Sequence, residues 1–372
     1  MKVKEISIKN FRNYSDLFLQ PNKNINVFVG KNASGKTNIL EAISILISAR
    51  SFRTSRDREI LKFGEDYFEI LALIEKSGLD KDYQLIYEKN KKKKYQVNLS
   101  NIKSLNELRM EGPLVSFVPE DLEIVKDGPA LRRKYMDQAI SNLDFIYRYN
   151  LKKYNSILKE KNSLLKDRNK GLDTKLLFQA YNVQLASLGA YLILARKEFL
   201  DQVNKDIKDI HLSITSGEEV LDLIYQNPFK DMDNIKKIES SLYQAMMEAL
   251  DKDLFVKYST FGPHRDDFDI ESNNISLKTY GSQGQKRSAV LSMKLVEINL
   301  IKARRNIAPI VLLDDVFSEL DQKRRRMLIE NLLDVQSFIT MAEKKYLDEF
   351  KGFSYNIYLV DNSKVKLLDG GN

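Results

Sequence analysis

The chain has 372 residues, 43% hydrophobic and 30% charged, an ordinary balance for a globular protein with ample core. It has no cysteine and only two histidines, His211 and His264, which excludes disulfides, thiolate metal sites and His-rich metal sites. Against 52 acidic residues stand 60 basic ones; a formal charge of +8 is mild for a nucleic-acid binder, so its placement matters more than its total.

In chain order, the opening MKVKEISIKNF alternates as a strand does and lacks the apolar core of a signal peptide. No uncharged apolar run approaches the roughly 18 residues of a membrane span, so a cytoplasmic protein without a membrane partner is expected. The apolar run Ile25 to Val29 suits a buried strand, and helical periodicity follows from Thr37 to Ser48. Between them GKNASGKT satisfies every fixed position of G-x-x-x-x-G-K-[ST]. Here Gly30, Lys31, Asn32, Ala33, Ser34 and Gly35 would turn successive N–H groups toward phosphate oxygens, aided by the helix N-terminus. Lys36 would reach the β- and γ-phosphates, and the Thr37 hydroxyl would bind Mg²⁺.

The runs YFEILALIE, KDYQLIYE, YQVNLS and PLVSFV then read as strands. KNKKKK (Lys89 to Lys94) forms the tip of a hairpin between two of them. Lys91, Lys92, Lys93 and Lys94 are therefore candidate contacts for DNA phosphates, or else a solvated turn that keeps a sheet edge from pairing. From about Asp127 the pattern is helical. Tyr147, Leu151, Tyr154 and Leu158 mark one seam, and Tyr181, Leu185, Leu188, Leu192, Ala195 and Phe199 another, with the polar turn Asp167 to Asp173 between. Two antiparallel helices of roughly 25 to 35 residues, about 40 to 50 Å long, are expected. Strands near His211 to Thr215 and Leu221 to Tyr225 and a helix near Ile235 to Leu250 lead to GPHRDD. His264, Arg265, Asp266 and Asp267 in that segment suit a catalytic or metal site, or a hydrogen-bonded brace for the hairpin that follows.

YGSQGQ (Tyr280 to Gln285) precedes a helix expected from about Lys286 to Arg304. Next, the aliphatic strand Ile310 to Leu313 would deliver Asp314 to the Mg²⁺ position, leaving Asp315 to orient or deprotonate the attacking water. Ser318, Glu319, Leu320 and Asp321 follow, and the last core strand, QSFIT, carries Thr340.

The order of YGSQGQ, acidic pair and SELD resembles the signature, Walker B and D-loop of ABC-type ATPases. The inserted length exceeds a transporter cassette and falls short of an SMC arm. With SFRTSRDREI, VPEDLEIVKDGPALRRKYMD and TFGPHRDDFDI, the chain resembles the compact, SMC-like RecF family over nearly its whole length. The resemblance implies an α/β fold: an ABC-type ATPase head built from residues 1–117 and 271–372, with a compact helical lobe, 118–270, inserted. It also implies ATP and Mg²⁺ as ligands, with Ser282, Gly284 and Gln285 completing the P-loop site of a second copy in an ATP-dependent homodimer. Duplex DNA and single-strand/duplex junctions are the implied substrates, and recombinational repair with RecR, RecO and RecA the implied setting.

Departures bear on rate. Val118 and Asn273-Asn274 differ from the usual family residues without touching phosphate chemistry. Asp315 replaces the glutamate usual in transporters, and Thr340 replaces a switch histidine. A shorter base and no imidazole predict slow hydrolysis by Lys36 and Asp315, which the family resemblance implies is DNA-stimulated, or a non-catalytic nucleotide-dependent scaffold. A transport ATPase subunit would share the P-loop but need a membrane partner. Arg53 and Arg56 would meet nucleotide or a neighbouring lobe.

Overall fold

The computed structural model describes all residues except 55, 103–111, 167–173, 230–233 and 372. Two units are present, one formed by Met1–Asp121 with Glu297–Asn372, the other by Leu122–Val296.

The first unit holds two six-stranded sheets. One is antiparallel, in the order β2 (Tyr14–Leu19), β1 (Lys2–Phe11), β4 (Tyr67–Lys76), β5 (Leu79–Glu88), β6 (Lys94–Val97) and β7 (Ser100–Asn101). YQVNLS is thus a hairpin rather than one strand, because Asn98 and Leu99 both take positive φ, 48° and 63°, and turn the chain between β6 and β7. The other sheet runs β15 (Lys364–Gly371), β14 (Tyr355–Asp361), β3 (Ile25–Val29), β13 (Gln336–Met341), β12 (Ile310–Leu313) and β8 (Leu114–Phe117). All its pairings are parallel except that of the edge strand β15.

Every residue of β3, β12 and β13 is buried, as expected of parallel strands covered on both faces. The helix α1 (Lys36–Ser48) supplies part of that cover: Ile39, Leu40 and Ile43 share a core with Phe68, Tyr83, Phe28 and Phe338. Gln336 stitches the two sheets. Its side chain accepts from Val3 N at 2.6 Å and donates to the carbonyls of Val3 and Asn22 at 2.8 and 2.9 Å.

The second unit contains α2 (Pro129–Leu143), α3 (Phe145–Lys166), α4 (Thr174–Ile214), α5 (Ile235–Glu248), α6 (Leu250–Val256) and the sheet β9 (Leu221–Gln226), β10 (Asp267–Ser272), β11 (Ile275–Ser276). The two long helices are antiparallel. Arg196 of α4 bonds Tyr147 near the start of α3, while Leu165 at the end of α3 packs on Phe178 at the start of α4. They are unequal, 22 and 41 residues, or about 33 and 62 Å. Asp167 to Asp173, the expected turn, lies outside the described residues.

The expected strand at His211 to Thr215 is the last turn of α4. Its sequence alternates, yet Leu200, Val203, Ile207, His211 and Ile214 are all buried at helical spacing, and that stripe decides. Lys175–Ile214 is long and apolar enough to cross a bilayer by length and composition; Gln179, Asn182, Gln184 and Ser187 break up the apolar run in the sequence ahead of Arg196. Within this unit α4 is a core helix: Asn182, Arg196 and His211 are fully buried and bond the elements around them.

The observed boundaries fall at Asp121 and Val296 rather than at 117 and 270, so the signature segment joins GPHRDD in the second unit. The second boundary lies inside α7 (Gln283–Arg305), whose first half is fixed by bonds from Tyr135 to the Met293 carbonyl and from His211 to Ser292.

Candidate nucleotide site

The loop after β3 is held open by its own backbone. Gly35 has φ 112° and Ala33 has φ 64°, conformations that lift the chain over the start of α1. A Cβ on Gly35 would lie 2.7 Å from Asn13 Nδ2 and 2.8 Å from Tyr14 Oη, and one on Gly30 would lie 2.1 Å from the Val360 carbonyl oxygen. Tyr14 donates to the Gly35 carbonyl at 3.2 Å, and burial pushes its phenol well above the ordinary value. Lys36 is 7% exposed and donates to the carbonyls of Gly30 and Lys31 at 2.7 and 2.8 Å. Burial lowers its ammonium below the usual lysine range, opposed by the charges of Asp315 and Asp314.

The acidic pair stands across from this loop. Thr37 and Thr340 each donate to Asp314 Oδ1 at 2.7 Å, and Thr340 Oγ1 accepts from Asp315 N at 2.9 Å. Thr340 lies within β13, brought beside Asp314 by the pairing of Leu313 with Ile339. Asp315 adopts φ 53°, outside the comfort of most side chains. Its Oδ1 and Ser34 Oγ are buried without a hydrogen-bond partner among the described residues. Two orphaned oxygens, a buried ammonium, a threonine-bound carboxylate and a loop with no room for side chains fit a phosphate-bearing ligand and a hard cation.

One cluster escaped sequence reasoning. Glu41, 0% exposed on α1, accepts from Arg12 Nε and Nη2 at 2.8 and 2.7 Å and from Ser51 Oγ at 2.5 Å. Arg53 lies 3.6 Å from the same carboxylate and donates to Asn38 at 2.8 Å; Asn38 donates to Asn13 at 2.6 Å. Arg53 therefore stands on the first turns of α1, whereas Arg56 is 80% exposed and pairs with Glu59 at 3.5 Å. The available signal was an acid inside an otherwise apolar helical stripe.

Of the basic tip, Lys93 is largely buried against Asp57 at 2.7 Å, and Lys91 and Lys94 pair with Glu88. Lys92 is exposed and makes no ion pair among the described residues. Ser318 donates to the Asp315 carbonyl at 2.8 Å, and Asp321 caps the helix α8 (Gln322–Asn331) through Arg324 N at 2.9 Å. The Glu319 side chain lies outside the described residues.

In the second unit, α7 begins at Gln283, three residues ahead of the expected start. Ser282 N donates to Gln285 Oε1 at 2.8 Å and Gln285 N to Ser282 Oγ at 3.2 Å, a reciprocal cap that nucleates the helix. Ser282 is exposed, and a Cβ on Gly284 would meet only Ser282 Oγ, at 3.9 Å.

GPHRDD is a brace. His264 accepts from Tyr154 Oη at its Nδ1, 2.8 Å, and donates from Nε2 to the Ser259 carbonyl at 3.1 Å. Asp266 takes Arg196 at 3.0 Å, Asn227 at 3.1 Å and Tyr225 at 2.5 Å; Asp267 takes Arg132 at 2.7 and 2.8 Å. Burial pushes Asp266 up and lowers His264 to about 4. No cluster of three or more metal-ligating side chains occurs among the described residues.

A family model described as the RecF/RecN/SMC N-terminal domain matches residues 2–365. The DNA replication and repair protein RecF of Clostridium perfringens (strain 13 / Type A) is 38% identical over 366 residues, covering 98% of this chain and 100% of that one. A solved structure of the recombination mediator protein RecF with ATP, in the RecFOR pathway, superposes with a TM-score of 0.88 at 35% identity, covering 98% of this chain and 99% of that one. An SMC head bound to the C-terminal winged-helix domain of ScpA aligns over 99% of this chain and 97% of its own with a TM-score of 0.59; at 14% identity it speaks to the fold alone.

Proposed function

The chain belongs to the RecF family, and from that premise we propose that it is an ATP-dependent DNA-binding protein of recombinational repair at single-strand gaps. The observation that carries the nucleotide part is the convergence of Thr37 and Thr340 on Asp314 beside the buried Lys36. A solved relative that carries ATP supports the choice of nucleotide. In this reading Lys36 exchanges the loop carbonyls for β- and γ-phosphate oxygens, and Thr37 and Asp314 hold Mg²⁺. The metal, when bound, neutralises charge developing on the phosphates.

Asp315 holds the attacking water with the carboxylate oxygen that has no hydrogen-bond partner among the described residues. Its short reach and the hydroxyl of Thr340 in place of an imidazole favour slow turnover, suited to a switch. Ser282 and Gly284 serve the P-loop of a second copy, so ATP joins two chains and hydrolysis parts them. The closed pair takes duplex DNA or a gap junction through phosphate contacts, with Lys91, Lys92 and Lys94 as candidate residues; binding is then salt-sensitive and weakly dependent on sequence. RecR and RecO are the partners in placing RecA.

The test is molar mass in solution with and without ATP-Mg²⁺, alongside binding to short duplex DNA, for wild type and Ser282→Arg. ATP-induced dimers and DNA binding in wild type, both lost in the variant, are expected; indifference to ATP would overturn the reading. A non-catalytic scaffold is the second reading, favoured by the unusual backbone of Asp315. Slow turnover that vanishes in Lys36→Met decides for the enzyme.

A further inference from the structure

The reciprocal cap at the start of α7 leaves one question of orientation. Gln285 Oε1 must face Ser282 N, yet an amide side chain can turn over and present its nitrogen instead, which would place two donors against each other. The answer lies 66 residues upstream. Gln285 Nε2 is 3.2 Å from Glu219 Oε1, and a carboxylate only accepts, so the nitrogen is held toward Glu219 and the oxygen toward Ser282.

Glu219 is itself pinned. Its N–H donates to Thr215 Oγ1 at 3.3 Å, and Ser272 Oγ donates to its Oε2 at 3.3 Å.

We propose that Glu219 is a positioning residue for the signature hydroxyl of Ser282, acting through the side-chain amide of Gln285. With Gln285 N donating into the exposed Ser282 Oγ, the cap leaves the hydroxyl hydrogen unused, as a group that must donate to a phosphate oxygen on another chain requires. Releasing Gln285 lets Ser282 turn, and the donor is no longer aimed. The end of α4 thereby bears on the aim of the signature, since Thr215, whose hydroxyl receives the Glu219 N–H, directly follows its last residue. This rests on the trans-acting role of Ser282 proposed above.

The test compares Glu219→Ala, Glu219→Gln and Ser282→Arg by two readouts. The first is the backbone amide resonance of Ser282 in the nucleotide-free protein, which reports its bond to Gln285 without reference to any partner. The second is the protein concentration for half-maximal dimerisation in ATP-Mg²⁺. Glu219→Ala is expected to move the resonance and raise that concentration by roughly tenfold or more. Glu219→Gln, whose amide oxygen still accepts, should restore both, which loss of mere packing would not allow. If Glu219→Ala fails to fold, Gln285→Met cuts the same link from the other end and must show the same two changes.

An unmoved Ser282 resonance overturns the positioning role. So does wild-type dimerisation in Glu219→Ala when Ser282→Arg abolishes it. If Ser282→Arg still dimerises with ATP, it is the trans-site reading that fails, and the resonance alone decides the alignment of Ser282 by Glu219.

Discussion

Replacing Thr340 by valine removes one hydroxyl and nearly no volume, and two bonds go with it, one buried and one partly buried. Asp315 N, now 2.9 Å from an oxygen, is left facing a methyl group, and an orphaned buried N–H costs about 1–3 kcal/mol. Asp314 loses one of the two hydroxyls that meet its Oδ1 at 2.7 Å, a charge-assisted bond of about 1.5–3 kcal/mol that its 8% exposure to solvent recovers in part. A net destabilisation of about 2–4 kcal/mol follows, which should lower the melting transition of the nucleotide-free protein by about 5–10 °C. Thr340→Ser keeps the oxygen and should fall by less than half as much. The same valine should weaken Mg²⁺-dependent ATP binding, because Asp314 is then aimed by Thr37 alone. A Thr340→Val protein that melts within a degree of wild type would refute the reasoning, since no fully buried hydroxyl bridging two acidic residues could be so dispensable.

Three further outcomes follow from the geometry. His264 sits at about 4 against an ordinary 6.5, because burial disfavours its charged form, so the folded protein resists a proton that the unfolded chain accepts. Its contribution is present above pH 6.5 and is lost as pH falls toward 4, by on the order of 3 kcal/mol; urea midpoints across that window should fall less steeply in His264→Gln, and equal slopes would contradict the assignment. Lys36 is lowered by burial in the free site, and phosphate oxygens beside it would raise it again. Nucleotide binding at pH 9 should therefore take up protons, seen as a calorimetric enthalpy that changes with the ionisation enthalpy of the buffer; identical enthalpies would count against it. Arg196 bonds Tyr147, Pro263, Asp266 and Asp137 from a fully buried position, so Arg196→Met should cost about 3–5 kcal/mol and open the second unit to proteolysis, while the P-loop unit still binds nucleotide.

What could be read beforehand was what the chain encodes locally. The strand, loop and helix around GKNASGKT are contiguous, and each fixed residue answers to its neighbours. The Ser282-x-x-Gln285 cap was equally local, and reading it would have started α7 at the right residue. The bond from Thr340 to Asp314 was not legible, because it depends on which residue of β13 stands beside Leu313 in β12. Glu41 likewise gains its partners from residues 29 positions before it and 10 after it. The end of α4 misled for a different reason: HLSIT alternates as a strand does, and only the stripe running down from Leu200 shows which period prevails.

The placing of β3 between β13 and β14 has a consequence for how the protein is made. Ile25–Val29 leaves the ribosome early, but its two sheet neighbours arrive about 300 residues later, a delay of tens of seconds at ordinary rates of synthesis. Through that interval this strand, fully buried in the finished fold, lacks its hydrogen-bonding partners. A message broken anywhere before the codon for Gln336 yields a product that carries GKNASGKT in writing and no paired strand to present it. The strand that leads into the P-loop is thus paired on both sides only after residues 336–361 have been made.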